Sequence, residues 1–236
     1  MQVVVRPGDP ARSRDLEILA RDDEEGATWV RHATGVLLPG DTAADTGPFP
    51  DVLPPDDAAP IDITGRYPRL AERGYRFGPA FQGLRAAWSK GADIYGEAVL
   101  PAGAAEGAAT FVLHPALLDA ALHTLGLAFG AEAFGTGSDG AEDPDGYLVP
   151  FSWHGVRWHA TGRTAVRVRI TVTGARTVAV HLADESGAPV LSVDELSLRT
   201  LDPAQLSAAG DARRDSLFEV RWRRRRFPRP GDRTRP

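Results

Sequence analysis

Val166, Val168, Ile170 and Val172 alternate with polar residues, the period of two that marks a half-buried antiparallel strand. Comparable runs predict strands at 147–159, 164–173, 176–184 and 189–200, and two more at about 84–90 and 93–100. Three further strands are predicted near the start, Gln2 to Arg6, Leu16 to Ala20 and Thr28 to Leu38, separated by Pro/Gly and acidic turns. Between the two groups, residues 39–60 are rich in Pro, Asp and Ala, show no period, and read as a linker.

The pattern changes at 113–125, Leu-His-Pro-Ala-Leu-Leu-Asp-Ala-Ala-Leu-His-Thr-Leu, which predicts a helix from Pro115 to about Phe129. Pro115 suits the first helical turn, where its missing N–H has no intrahelical partner to lose. A shorter helix is predicted at 66–73, followed by a glycine-punctuated turn at 74–83, and the Gly/Asp/Glu-rich segment 131–146 reads as a surface loop. A helix apolar on nearly every side has to be surrounded rather than laid on a surface. A curved antiparallel sheet wrapped round a central helix satisfies that requirement. The expected class is α+β with a hot-dog fold.

Asp119 and His123 interrupt that helix. A carboxylate among Leu117, Leu118, Ala120, Ala121 and Leu122 is expected to lose solvation, which requires a partner or a raised pKa. The i,i+4 spacing puts His123 on the same helical face as Asp119, so it can be that partner. The residues admit two readings: a protonated acid kept for chemistry, or a core Asp that caps a neighbouring loop.

Composition narrows the class. The 236 residues are 42% hydrophobic and 25% charged, an ordinary globular balance. There is no Cys, so disulfides, thiolate catalysis and Cys-zinc sites are excluded together. No signal peptide or run of about 18 apolar residues is present, and a cytoplasmic location without a membrane is expected. Residues 221–236 hold eight Arg against one Asp, so the preceding 220 carry a net charge of −12, a poor surface for nucleic acid.

Three stretches carry a resemblance. Gly-Tyr-Arg-Phe-Gly-Pro-Ala-Phe-Gln-Gly (74–83), Leu-His-Pro-Ala-Leu-Leu-Asp-Ala-Ala-Leu-His (113–123) and Leu-Val-Pro-Phe-Ser-Trp (148–153) stand in the order and at the spacing of polyketide synthase dehydratase domains. The chain resembles these domains from residue 1 to about 222. The resemblance implies a double hot dog whose two halves share one site. It implies removal of water from a 3-hydroxyacyl thioester, carried on the phosphopantetheine of an acyl carrier protein, with no cofactor. Asp119 then takes the place of the general acid, and His123 that of the residue hydrogen-bonded to it. Free Asp, with a pKa near 3.9, is ionised at neutral pH, so the apolar helix is expected to raise it. Tyr75, Phe77, Gly78, Pro79, Phe81 and Gln82 would bind substrate along the acyl tunnel, with Phe151 and Trp153 lining its floor or supporting it. Plain core packing is the other reading of these aromatics.

The chain departs from the family at the general base. None of its six histidines, His32 and His159 included, sits in the family's His-x-x-x-Gly-x-x-x-x-Pro. The expected organisation is therefore remnant strands of a first hot dog (1–38), a linker (39–60), a second hot dog (61–202), and a post-domain linker with a disordered Arg-rich tail (203–236). The expected partners are the acyl carrier protein, neighbouring synthase domains, the missing N-terminal half, and a second copy in the intact synthase. Two other readings share the fold: a non-catalytic scaffold in the assembly line, or an enzyme that isomerises double bonds, closes pyran rings or templates aromatic cyclisation. A metal at Asp119 and His123 is not expected, since His114 lies about 140° round the helix from Asp119 and leaves only two ligands converging. Ser152 and His154 form no triad, and the glycines at 135, 137 and 140 lack the strand-to-helix context of a phosphate cradle.

Overall fold

The computed structural model describes residues 1–6, 13–23, 26–40, 49–72, 75–129 and 147–201. The loop expected at 131–146 and the tail expected past 203 lie outside the described residues. The described residues divide into two units, one within residues 1–40 and the other within residues 49–201.

In the first unit the alternating runs form β1 (Gln2–Val5), β2 (Arg14–Ala20) and β3 (Val30–Leu37), a three-stranded antiparallel sheet in that order. Val4 pairs with Glu17, and Ile18 with Ala33. Glu17 is flanked by Arg6 and Arg31, and the hydrogen bond from Arg6 holds its carboxyl below the usual range.

The second unit is the hot dog. Its strands are β4 (Ala59–Pro60), β5 (Leu84–Lys90), β6 (Asp93–Val99), β7 (Tyr147–His154), β8 (Arg157–Trp158), β9 (Ala165–Gly174), β10 (Thr177–Ala183) and β11 (Pro189–Leu201). They form one antiparallel sheet ordered β4-β5-β6-β9-β10-β11-β7, with β8 paired to β11. Val166, Val168 and Ile170 from β9 join Val178, Val180 and Leu182 from β10 in the core, as their period of two requires. Helix α1 (Arg66–Glu72) precedes β5, and a single turn, α2 (Ala102–Ala105), follows β6. The long apolar run forms α3 (Pro115–Leu122) and α4 (Leu125–Ala128).

Helix α3 turns Leu117, Ala120 and Ala121 to the sheet, each no more than 1% exposed. Two glycines permit the close approach. A Cβ at Gly83 would stand 2.8 Å from Ala120 Cβ, and one at Gly96 would stand 2.6 Å from Thr124 Cγ2. Burying a side chain such as Leu117 contributes about 1.5–3 kcal/mol. No described helix is long and apolar enough to cross a membrane.

Four expectations need correction. The predicted 115–129 helix breaks at His123–Thr124, where Thr124 Oγ1 donates to Ala121 O at 2.6 Å and the backbone tightens to i→i−3 bonds. The predicted 147–159 strand breaks at Gly155, whose φ of 64° leaves the extended region. Helix α3 is not enclosed on every side, because Leu118, Asp119 and Leu122 remain half-buried. The second half of the 39–60 segment is ordered against the sheet. Phe49 meets Tyr95 edge-on, Lys90 Nζ donates to Asp56 O at 2.7 Å, and Ala59–Pro60 pairs with β5.

Candidate active site

Helix α3 begins on a local device. His114 Nδ1 accepts the Ala116 N–H at 3.1 Å, and Pro115 fills the next position. His114 is thereby used as a cap and is not directed to Asp119. One turn on, Asp119 sits at an apolar cavity of about 210 Å³ lined by Tyr75, Phe77, Leu122, His123, Leu125, Phe129, Leu148, Val149, Pro150 and Leu198.

The i,i+4 spacing brings Asp119 Oδ2 to 3.2 Å from His123 Nε2. Their environments differ: the imidazole is 5% exposed and the carboxyl 42%. The expected desolvation of Asp119 is therefore not met. Its flank of α3 faces the cavity, while Leu117, Ala120 and Ala121 take the side that packs on the sheet. The 3.2 Å contact is within ion-pair reach but lacks the alignment of a hydrogen bond.

His123 is held from several directions. The Tyr67 hydroxyl lies 3.1 Å from Nδ1, and the same oxygen accepts the Leu84 N–H at 3.0 Å. The Phe77 ring packs at 4.2 Å between centroids. Arg66 donates to the His123 carbonyl at 2.9 Å, which satisfies a carbonyl left open at the end of α3 and sets a cation at the negative end of its dipole. Burial pushes the Tyr67 phenol up from its usual range, and it stays protonated at neutral pH.

Of the predicted residues, Asp119, His123, Tyr75 and Phe77 meet at the cavity; the others do not line it. Gly78, Pro79 and Phe81 form an exposed 3-10 turn and its cap, and Gln82 Nε2 donates to Phe77 O at 2.9 Å, which fixes the loop that carries Phe77. Phe151 is 61% exposed and Trp153 38%. The reason lies in the register: Pro150 pairs with Leu198 and Ser152 with Ser197, so Phe151 is an extra residue at a bulge. Pro150 has no N–H to give the ladder, and the bulge absorbs that loss. Phe151 turns out under Arg199, whose guanidinium lies 5.0 Å from the ring. The cavity wall comes from Leu148, Val149 and Pro150 of the same motif. Tyr67 and Arg66 escaped the sequence reading. Only the short amphipathic spacing of α1 marked them, and nothing linked that helix to a residue 56 positions away.

Known proteins share this fold and much of this sequence. Residues 46–208 match the family described as "Polyketide synthase dehydratase N-terminal domain". The chain is 44% identical over 223 residues to the mycoketide-CoA synthase of Mycobacterium tuberculosis (strain ATCC 25618 / H37Rv), covering 94% of this chain and 5% of that protein. It is 43% identical over 224 residues to polyketide synthase GfsE of Streptomyces halstedii, covering 94% of this chain and 6% of that protein. Among solved structures, the dehydratase domain from the terminal module of the rifamycin polyketide synthase superposes with a TM-score of 0.71 at 35% identity, covering 84% of this chain and 66% of that one. A fusion DH domain gives 0.70 at 38% identity, covering 87% and 66%. The chain thus spans about two-thirds of such a domain and a small part of each synthase. The half-exposed carboxylate on a hot-dog helix, the motifs around it and these likenesses place the chain in the polyketide synthase dehydratase family.

Proposed function

We propose that this chain supplies the acid-donating side of a dehydratase site acting on a 3-hydroxyacyl thioester delivered by an acyl carrier protein. The observation that carries the reading is Asp119: a carboxyl at an apolar cavity, one helical turn from a buried imidazole. Dehydration breaks a C–H bond α to the thioester and the C–O bond at the β carbon. The electron pair from the first becomes the new double bond, and hydroxide, a poor leaving group, needs a proton as it departs. Asp119 gives that proton and water leaves. The apolar wall of Leu122, Leu125, Phe129 and Leu148 suits an acyl chain. No cofactor enters this scheme.

The α-proton acceptor is proposed to be a histidine of the dehydratase outside these 236 residues. Two facts support this: none of the six histidines stands in the family's base motif, and the chain covers 66% of the rifamycin domain. Without a general base the chain alone should fall about 10²–10⁴-fold below a complete domain. The test is mass spectrometry of a 3-hydroxyacyl carrier protein, incubated with this chain alone and with the chain fused behind a His-bearing half of a related dehydratase. Loss of water is expected only from the fusion, and Asp119→Asn should abolish it. Undiminished activity in the Asp119→Asn fusion would overturn the assignment.

A further inference from the structure

The Tyr67 hydroxyl stands between a backbone N–H and a ring nitrogen of His123. The Leu84 N–H can only donate, so at 3.0 Å it occupies an acceptor site on the phenolic oxygen. His123 Nδ1, 3.1 Å away, can donate or accept according to its tautomer. Tyr67 keeps its proton, and Nδ1 is the acceptor within reach of that O–H among the described residues. A neutral imidazole that accepts at Nδ1 carries its proton on Nε2, the nitrogen 3.2 Å from Asp119 Oδ2. Leu84 N–H and Tyr67 O–H then donate in one direction up to His123, whose Nε2–H stands within ion-pair reach of Asp119.

We propose that Tyr67 is a positioning residue that fixes His123 as the Nε2–H tautomer and so keeps an N–H donor facing the Asp119 carboxyl. With the opposite tautomer an unshared pair on Nε2 would face the carboxylate left after proton delivery, and repel it. With the tautomer Tyr67 imposes, a donor waits for that charge, an interaction that strengthens only as the proton leaves. The ring is free to do little else. It is 5% exposed, Phe77 packs on it, and Nε2 has no hydrogen-bond partner among the described residues. The effect on rate rests on the reading of Asp119 as the acid, whereas the tautomer does not.

The experiment separates the two. Long-range ¹⁵N–¹H spectra of the full chain, recorded at a pH where free histidine is neutral, should show His123 with its proton on Nε2 and a bare Nδ1. Tyr67→Phe keeps the ring and removes only the hydroxyl. It should lose the single-tautomer pattern at His123 and speed hydrogen exchange at the Leu84 amide, which loses its acceptor. In the fused enzyme the same variant should lower kcat on the order of 10²-fold with KM unchanged. A proton on Nδ1 in the wild-type chain would overturn the proposal without recourse to any variant, and so would an unaltered His123 pattern in Tyr67→Phe. A tautomer that shifts while kcat holds would overturn the effect on rate proposed for Tyr67, and the general-acid reading of Asp119 would still be decided by Asp119→Asn.

Discussion

His123 Nε2 lies 3.2 Å from Asp119 Oδ2, yet the imidazole is 5% exposed and the carboxyl 42%. The asymmetry divides the labour. The buried ring is fixed by Tyr67, Phe77 and the fold, while the carboxyl reaches the cavity where a substrate would lie.

Removing the ring should therefore hurt differently from removing the carboxyl. His123→Ala takes the N–H away from Asp119 and strands the Tyr67 hydroxyl without its acceptor. A buried group left unsatisfied costs about 1–3 kcal/mol, readable as a lower urea midpoint. In the fused enzyme His123→Ala should slow dehydration on the order of 10²-fold yet leave it measurable, whereas Asp119→Asn leaves none. Equal losses from the two would mean that His123 is itself a reactant.

Phe151 and Leu148 test where the tunnel floor is. Both belong to the 148–153 motif, but the bulge turns Phe151 outward, 61% exposed, and leaves Leu148 at the cavity. Phe151→Ser should stay within about 0.5 kcal/mol of wild type in stability. It should leave the KM for acyl substrates unchanged in the fused enzyme, while Leu148→Ala raises it. A raised KM in Phe151→Ser would restore the aromatic to the floor.

What could be read from the chain was whatever repeats with a short period. Val166, Val168 and Ile170 announced β9 because side chains alternate across a sheet, and Pro115 announced the start of α3 because an orphan N–H is lost there at no cost. Asp119 and His123 were legible as a pair for the same reason, one turn of one helix. The misses all depend on partners distant in sequence or on single-residue irregularities. Tyr67 reaches His123 across 56 positions, the bulge at Phe151 follows from register with Ser197 and Leu198, and the helix stops at Thr124 through one hydroxyl. The exposure of Asp119 was misjudged because an apolar neighbourhood in sequence does not say which flank of a helix meets the sheet.

His181 should make stability depend on pH. Burial pushes its imidazole below the usual 6.5, and the Arg169 guanidinium at 3.2 Å from Nδ1 adds to the shift; Asp194 and Asp93 oppose it, and His159 adds a further small lowering. A folded-state value below the unfolded one means that the unfolded chain binds more protons. The contribution is present above about pH 6.5 and is lost as pH falls towards the folded value. Urea midpoints taken downward from pH 7 should therefore drop less steeply in His181→Gln than in wild type. Parallel curves would show that Arg169 and burial do not act on this ring.

The last prediction concerns the contact that seats α3 on the sheet. A Cβ at Gly96 would stand 2.6 Å from Thr124 Cγ2 and 3.3 Å from Leu84 Cδ1, in a region with no open space. Gly96 has no left-handed φ to protect, so Gly96→Ala tests packing alone. Overpacking of this kind costs about 1–3 kcal/mol. Thr124→Ser removes the methyl that collides but keeps the hydroxyl that donates to Ala121 O, and with it the break between α3 and α4. In the double variant most of the loss should return, a coupling of about 0.5–3 kcal/mol measured by urea denaturation of the two single variants and the pair. Gly83→Ala offers the contrast. Its Cβ would meet the Val99 carbonyl at 2.7 Å, a backbone atom no side-chain exchange can move, so Thr124→Ser should give it no relief. Additive effects of Gly96→Ala and Thr124→Ser would mean that the helix is not held against β6 at this point, and that some other contact sets the position of Asp119 and His123.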